Sequence, residues 1–227
     1  MASLPSSSTP RPPRRATRAV IFDLDGVIVW SVPMHWHAFR KTFGAEGREF
    51  PLEEYMKLGV GAAREDVLRK ILGDLPEARL MHLMAEKEKH ARDYLREKGI
   101  DPVPGSLDFV QAVRARKLKT AVATASRTPE LLLDSVGATS FFDIIVGRER
   151  VQHPKPRPDI YLLAAELLRV PPVECLVVED SPIGIDAALA AGMRVLALTT
   201  TADARDLSKA TGICKSLADV RLEEWVE

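Results

Sequence analysis

Asp23 and Asp25 stand one residue apart, directly after the apolar run Ala19-Val20-Ile21-Phe22 and just before Gly26. In extended backbone, residues i and i+2 share a face, so the two carboxylates would meet there against their own repulsion. A divalent cation relieves that repulsion. Carboxylate and carbonyl oxygens are hard donors suited to Mg²⁺, which keeps several waters and takes further oxygens from a phosphate ligand. Gly26 allows the backbone to turn tightly at this point. Taken alone, the pair is equally well read as a solvated turn of acids closing a strand.

A second acidic pair closes a second apolar run. Glu179-Asp180 follows Cys175-Leu176-Val177-Val178, and Ser181-Pro182 then opens a helical pattern with Gly184 close behind. Asp180 would complete a metal site, with Glu179 holding a metal-bound water or ligating directly. An acid capping a Pro-initiated helix is the alternative. Thr124, Ala125 and Ser126 end a third apolar run, where hydroxyls and backbone N–H groups at the start of a helix favour an anion. Lys155 lies between Pro154 and Pro156. A stiff loop aims its ammonium, as neutralising a transferring phosphoryl group requires.

These residues need a scaffold that brings strand ends together. From Ser106 onward helical and extended patterns alternate: helical over Ser106–Arg116, Pro129–Val136, Pro158–Leu168 and Pro182–Ala191, and extended over Lys119–Thr124, Phe142–Val146, Glu174–Glu179 and Arg194–Leu198. Runs such as CLVVED and RVLALTT are apolar on both faces, as parallel strands covered by helices on each side must be. The fold class is therefore α/β, a doubly wound parallel sheet that binds ligands at the carboxyl ends of its strands. Between the first strand and this alternation, residues 33–99 carry helical patterns (Met34–Phe43, Leu52–Leu58, Arg64–Leu72, Pro76–Lys98) and no convincing strand. A helical unit inserted at residues 32–102 is expected above a core built from 18–31 and 103–227, the two joined by a two-stranded hinge.

Composition narrows the partners. The 227 residues hold 32 acidic and 32 basic side chains, so no global charge draws the chain to nucleic acid or to an anionic membrane. No apolar stretch approaches the roughly 20 residues needed to span a bilayer. Cys175 and Cys214 fall in no zinc or redox spacing, which fits two small hydrophobes in a reducing, cytoplasmic compartment. Residues 1–17, rich in Ser, Pro and Arg without an acid, read as a disordered tail, although transit peptides share that composition. A monomer is expected.

FDLDGVI, the strand-end Thr-Ala-Ser, KPRPDIY and VVEDSPIGIDAALAAGM, in that order, resemble the four motifs of the haloacid dehalogenase-like (HAD) superfamily. The position of the helical insert resembles the β-phosphoglucomutase-like branch, with its cap after the first motif. The resemblance implies a Rossmann-like HAD core and an aspartyl-phosphate formed on Asp23, with Asp25 as acid and base. It implies phosphoryl oxygens held by Thr124 and Lys155, and Mg²⁺ among Asp23, the Asp25 carbonyl and Asp180, with Glu179 adjacent. Ser31 and His35 match the hinge and first cap helix of that branch, and Arg64 its substrate-facing arginine. A cap lysine would be Lys87 or Lys89. Trp30, Val32-Pro33, Ala63 and Pro154 depart from the mutase pattern, which favours water as acceptor. The expectation is a Mg²⁺-dependent phosphatase of a small phosphate ester, a sugar phosphate above others, with a sugar phosphomutase as the alternative.

Overall fold

The computed structural model describes residues 16–226. The expected tail therefore lies outside the described residues, except for its last two positions. Thr17, counted with that tail, is in fact buried, and its hydroxyl donates to the Trp225 carbonyl at 3.0 Å.

The described residues build one six-stranded parallel sheet: β1 (Ala19–Phe22), β2 (Lys119–Ala123), β3 (Ile144–Val146), β4 (Cys175–Glu179), β5 (Arg194–Leu198) and β6 (Gly212–Cys214), in the order β3-β2-β1-β4-β5-β6. The order reverses at β1, which pairs with β2 on one side and β4 on the other. Loops on either side of such a reversal splay apart and leave a crevice at the strands' carboxyl ends. The acids after β1 and β4 thus open onto one crevice.

Alternation along the strands supplies both faces. Val20 and Phe22 of β1 pack with Val122, Leu176, Val178 and Leu196 beneath α5 (Ser106–Ala115). Ala19 and Ile21 face the other way, into a second cluster under α7 (Asp159–Leu168) and α8 (Pro182–Ala190). β6 is an addition to the five strands read from the sequence. It has three residues and lies at the edge with Ile213 exposed, so it carries no apolar run to betray it.

The insert comprises α1 (Val32–Ala45), α2 (Leu52–Leu58), α3 (Arg64–Leu72) and α4 (Glu77–Lys98). It has a core of its own, in which Phe39, Phe43, Phe50 and Tyr55 pack with Leu68, Leu80 and Leu83. The Phe43 and Phe50 rings meet edge to face at 4.7 Å. Burying each such ring contributes about 1.5–3 kcal/mol. The chain enters and leaves this unit side by side: Trp30 N–H donates to the Asp101 carbonyl at 2.9 Å, and Val103 N–H to Ile28 at 2.8 Å. No helix of the described residues is long and apolar enough to cross a membrane.

Candidate active site

Asp23 sits one residue past β1, its N–H bonded to the Val178 carbonyl of β4 at 2.9 Å. Lys155 reaches it from the loop before α7, placing Nζ 2.6 Å from Asp23 Oδ1 and 2.7 Å from Glu179 Oε1. The ammonium also lies over the Tyr161 ring, 4.8 Å from its centroid. Burial acts to strip the proton from Lys155, but Asp23 and Glu179 outweigh it and hold the group charged. For Asp23 the balance runs the other way. Burial is the larger influence, Lys155 opposes it, and the carboxyl is pushed up to about 8.

Asp25 is held from three sides. Ser31 Oγ and His35 Nε2 both approach Oδ1, the histidine at 2.9 Å, while Thr124 Oγ1 lies 3.3 Å from Oδ2. Burial raises its pKa, yet the facing His35, with the hydrogen bonds from His35 and Ser31, brings it down to about 2. Behind His35 stands Lys87 of α4, Nζ 2.8 Å from Nδ1. A charged ammonium can only donate, so Nδ1 accepts and Nε2–H points at Asp25. Burial, followed by the nearby Arg64, draws Lys87 down to about 7. The two lysines left open by the sequence thus separate: Lys87 is buried in the cleft, whereas Lys89 is exposed beside Asp93.

Glu179, read from the sequence as a metal residue, is bonded to protein donors through both oxygens. Oε1 accepts from Lys155 and from Tyr161 at 2.9 Å, and Oε2 accepts from the backbone N–H groups of Asp180 and Ser181 at 2.8 and 2.9 Å. All its acceptor positions are taken, so it anchors Lys155 and the start of α8. Gly184 makes room for it, since a Cβ there would lie 1.6 Å from Glu179 Oε1. Alanine ordinarily improves a helix over glycine by about 0.5–1 kcal/mol. Gly184→Ala is nevertheless expected to destabilise the protein by about 1–3 kcal/mol in a urea melt, because Glu179 must give up its network.

Asp180 is buried and held by Thr201 Oγ1 at 2.6 Å and Thr200 Oγ1 at 3.3 Å. Burial raises its pKa well above the ordinary range, and the negative charges of Glu179 and Asp23 raise it further. Gly26, at φ +75°, brings the loop backbone against it, where a Cβ would fall 1.9 Å from Asp180 Oδ2. Among the described residues, no three His, Cys, Asp or Glu side chains gather closely enough to hold a metal by themselves. Two crowded carboxylates, Asp23 and Asp180, beside a close-lying loop backbone still fit a hard cation. Such a cation takes few protein ligands and the remainder from water and phosphate.

The loop after β2 serves both layers. Ser126 N–H donates to Thr124 Oγ1 at 3.0 Å, and Ala125 and Ser126 line the cleft. The next two residues reach the inserted helices: Arg127 Nη2 lies 2.5 Å from Glu65 Oε1, and Thr128 Oγ1 3.2 Å from Glu88 Oε1. Arg64 lines the same cleft and is itself paired with Glu88 at 2.7 Å. Residues 17–192 match the family model of the haloacid dehalogenase-like hydrolases.

The chain belongs to the haloacid dehalogenase-like hydrolases. Within this family it is 34% identical to fructose-1-phosphate phosphatase YqaB of Escherichia coli K12, over 77% of this chain and 92% of that one. Hexitol phosphatase A of the same organism is 30% identical, over 89% and 93%. Among solved structures, β-phosphoglucomutase of Clostridium difficile superposes with a TM-score of 0.84 at 27% identity, covering 92% of this chain and 95% of that one. The fold and branch implied by the sequence motifs agree with these likenesses.

Sequence reasoning passed over several residues of this HAD site. Thr200 and Thr201 follow β5, at the same kind of strand end that singled out Thr124 and Asp180. Tyr161 and Glu88 lie inside helical patterns, where nothing local separates a pocket residue from any other.

Proposed function

We propose that this protein is a Mg²⁺-dependent phosphatase of a small phosphorylated metabolite, a sugar phosphate being the favoured class. The observation that carries the reading is the pairing of Asp23 on Lys155 with a separately held Asp25 beneath a helical cap. The phosphatase relatives support it. Asp23 Oδ attacks phosphorus, the ester P–O bond breaks, and an aspartyl-phosphate forms. Lys155 and the Thr124 hydroxyl stabilise charge on the phosphoryl oxygens. Bound between Asp23, the Asp25 carbonyl and Asp180, Mg²⁺ would add electrophilic charge there.

Asp25 handles the proton. It receives one from His35 Nε2–H, backed by Lys87, and passes it to the departing alkoxide. It then takes a proton from the water that attacks the aspartyl-phosphate, releasing inorganic phosphate and restoring Asp23. A relay group near neutral pH suits both directions, and Lys87 at about 7 has that value. Release of p-nitrophenol from its phosphate in Mg²⁺ buffer tests this reading. Turnover should fall at least about 10²-fold on adding a chelator and return with Mg²⁺. Hydrolysis indifferent to chelation would refute the metal requirement.

A sugar phosphomutase is the second reading, favoured by Ser31, His35 and Arg64 meeting in one cleft. It requires isomerisation of β-glucose 1-phosphate primed by a bisphosphate; hydrolysis alone rejects it. A monomer in the cytoplasm is part of the proposal, in keeping with the two unpaired cysteines.

A further inference from the structure

The cap wall of the cleft carries three cations, Arg64, Lys87 and Arg92, around one acid, Glu88. Glu88 of α4 engages most of this charge. Its Oε2 accepts from Arg64 Nη2 at 2.7 Å, while Oε1 accepts from Arg92 Nε and from the Thr128 hydroxyl, each at 3.2 Å. The Arg64–Glu88 pair is largely withdrawn from solvent, the two side chains being 14% and 18% exposed. Burial pulls the Glu88 carboxyl upward, but Arg64 and Lys87 hold it below its ordinary value, so it remains a carboxylate. Arg64 also donates to the Met84 carbonyl at 3.4 Å, which fixes the guanidinium against α4.

We propose that Glu88 is a specificity-determining residue that occupies Arg64 as an internal anion and so selects monophosphates with an uncharged, hydroxyl-bearing leaving group over bisphosphates. The inference rests on the phosphatase reading for its leaving group. A second phosphate on the substrate's far end would have to displace Glu88 from Arg64 and then lie beside the displaced carboxylate, a like-charge contact in a poorly hydrated cleft. A hydroxyl suffers no such penalty. It can accept from Arg64 or Lys87 and donate to Glu88, so the pair reads a polyol without being broken. Arg64 alone would invite a distal phosphate; Arg64 with Glu88 does not.

The test compares kcat and KM for fructose 1-phosphate, fructose 1,6-bisphosphate and p-nitrophenyl phosphate in the parent protein, Glu88→Gln and Thr128→Val. In Glu88→Gln the bisphosphate-to-monophosphate ratio of kcat/KM should rise about tenfold or more, carried by KM for the bisphosphate, because a like-charge repulsion has been removed. Turnover of p-nitrophenyl phosphate, which has no distal charge, measures any general loss, and both sugar values are divided by it before the ratio is taken. Thr128→Val, which removes only the bond from the core loop, should leave the ratio where it was. An unchanged ratio in Glu88→Gln, parallel losses on both sugars, or a Thr128→Val shift of equal size would overturn the assignment. Should no ester turn over, the phosphatase reading fails by itself. Calorimetric binding of the bisphosphate to Asp23→Asn, with and without Glu88→Gln, then decides: tighter binding with the second change supports the proposal, equal binding rejects it.

Discussion

Asp23→Asn is expected to cut phosphate-ester turnover by at least about 10⁴-fold while leaving the protein folded. An amide cannot attack phosphorus as a carboxylate does, and the neighbouring acids are held by other partners, Asp180 by Thr200 and Thr201. Asp25 is tied to Ser31, His35 and Thr124, and Glu179 to Lys155, Tyr161 and two backbone amides. The same substitution should stabilise the metal-free fold. Burial of Asp23 beside Glu179 and Asp180 disfavours its carboxylate, and an amide at this position carries no such penalty. A rise in melting temperature of about 2–4 °C, the shift that ~1 kcal/mol produces in a domain of this size, is the expected result in chelator. Rate and melting temperature moving in opposite directions would mark a residue kept for chemistry at the expense of stability. A variant that retained turnover would remove Asp23 from the reaction.

Lys155→Met is expected to damage both activity and stability. It keeps most of the side-chain volume but leaves Asp23 and Glu179 without their shared cation, at a site where the Lys155 side chain is 4% exposed. Removing one partner of a buried ion pair costs about 3–5 kcal/mol, because the other is left charged and desolvated. In a chain this long that corresponds to a loss of roughly 10 °C in melting temperature. Turnover should fall at least about 10²-fold through the lost stabilisation of phosphoryl charge. Adding Glu179→Gln to Lys155→Met should recover part of the stability and none of the activity, as urea melts and steady-state rates on the same preparations would show. Full stability in Lys155→Met alone would mean that the carboxylates are hydrated or protonated rather than held by the lysine.

The strand-end side of the candidate site was legible because strand ends concentrate polar groups. β1 and the apolar stretches of β2 and β4 are buried on both faces, so the polar residues that follow stand out, and Asp23, Thr124 and Asp180 were singled out in that way. The cap end obeyed no such rule. In α4, Lys87, Glu88 and Lys89 are consecutive, and each step turns the side chain about 100° around the helix. Which of the two lysines faces the cleft is settled by packing against α1: Lys87 Nζ lies 5.0 Å from the Phe39 ring centroid and 2.8 Å from His35. Glu179 adds contacts that no sequence pattern announces. Its position beside Asp180 suggested a metal residue, but its oxygens go to Lys155, Tyr161 and the backbone N–H groups that open α8, contacts that depend on folding.

The short loop after β2 binds in two directions, and that has a consequence for the tempo of the reaction. Thr124, braced by Ser126 N–H, faces the Asp25 carboxylate, while Arg127 and Thr128 grip Glu65 and Glu88 of the cap. Two equilibria that share one segment are linked reciprocally: whatever steadies the loop from one side raises affinity on the other by the same factor. A phosphoryl group seated at Thr124 would therefore strengthen the cap's hold on this loop, and that hold would slow the group's departure. Inorganic phosphate, the reaction's own product, tightens the door through which it must leave. Salt screens the partly exposed Arg127–Glu65 pair. The escape of product, rather than the breaking of the ester bond, is the step that ionic strength should hasten.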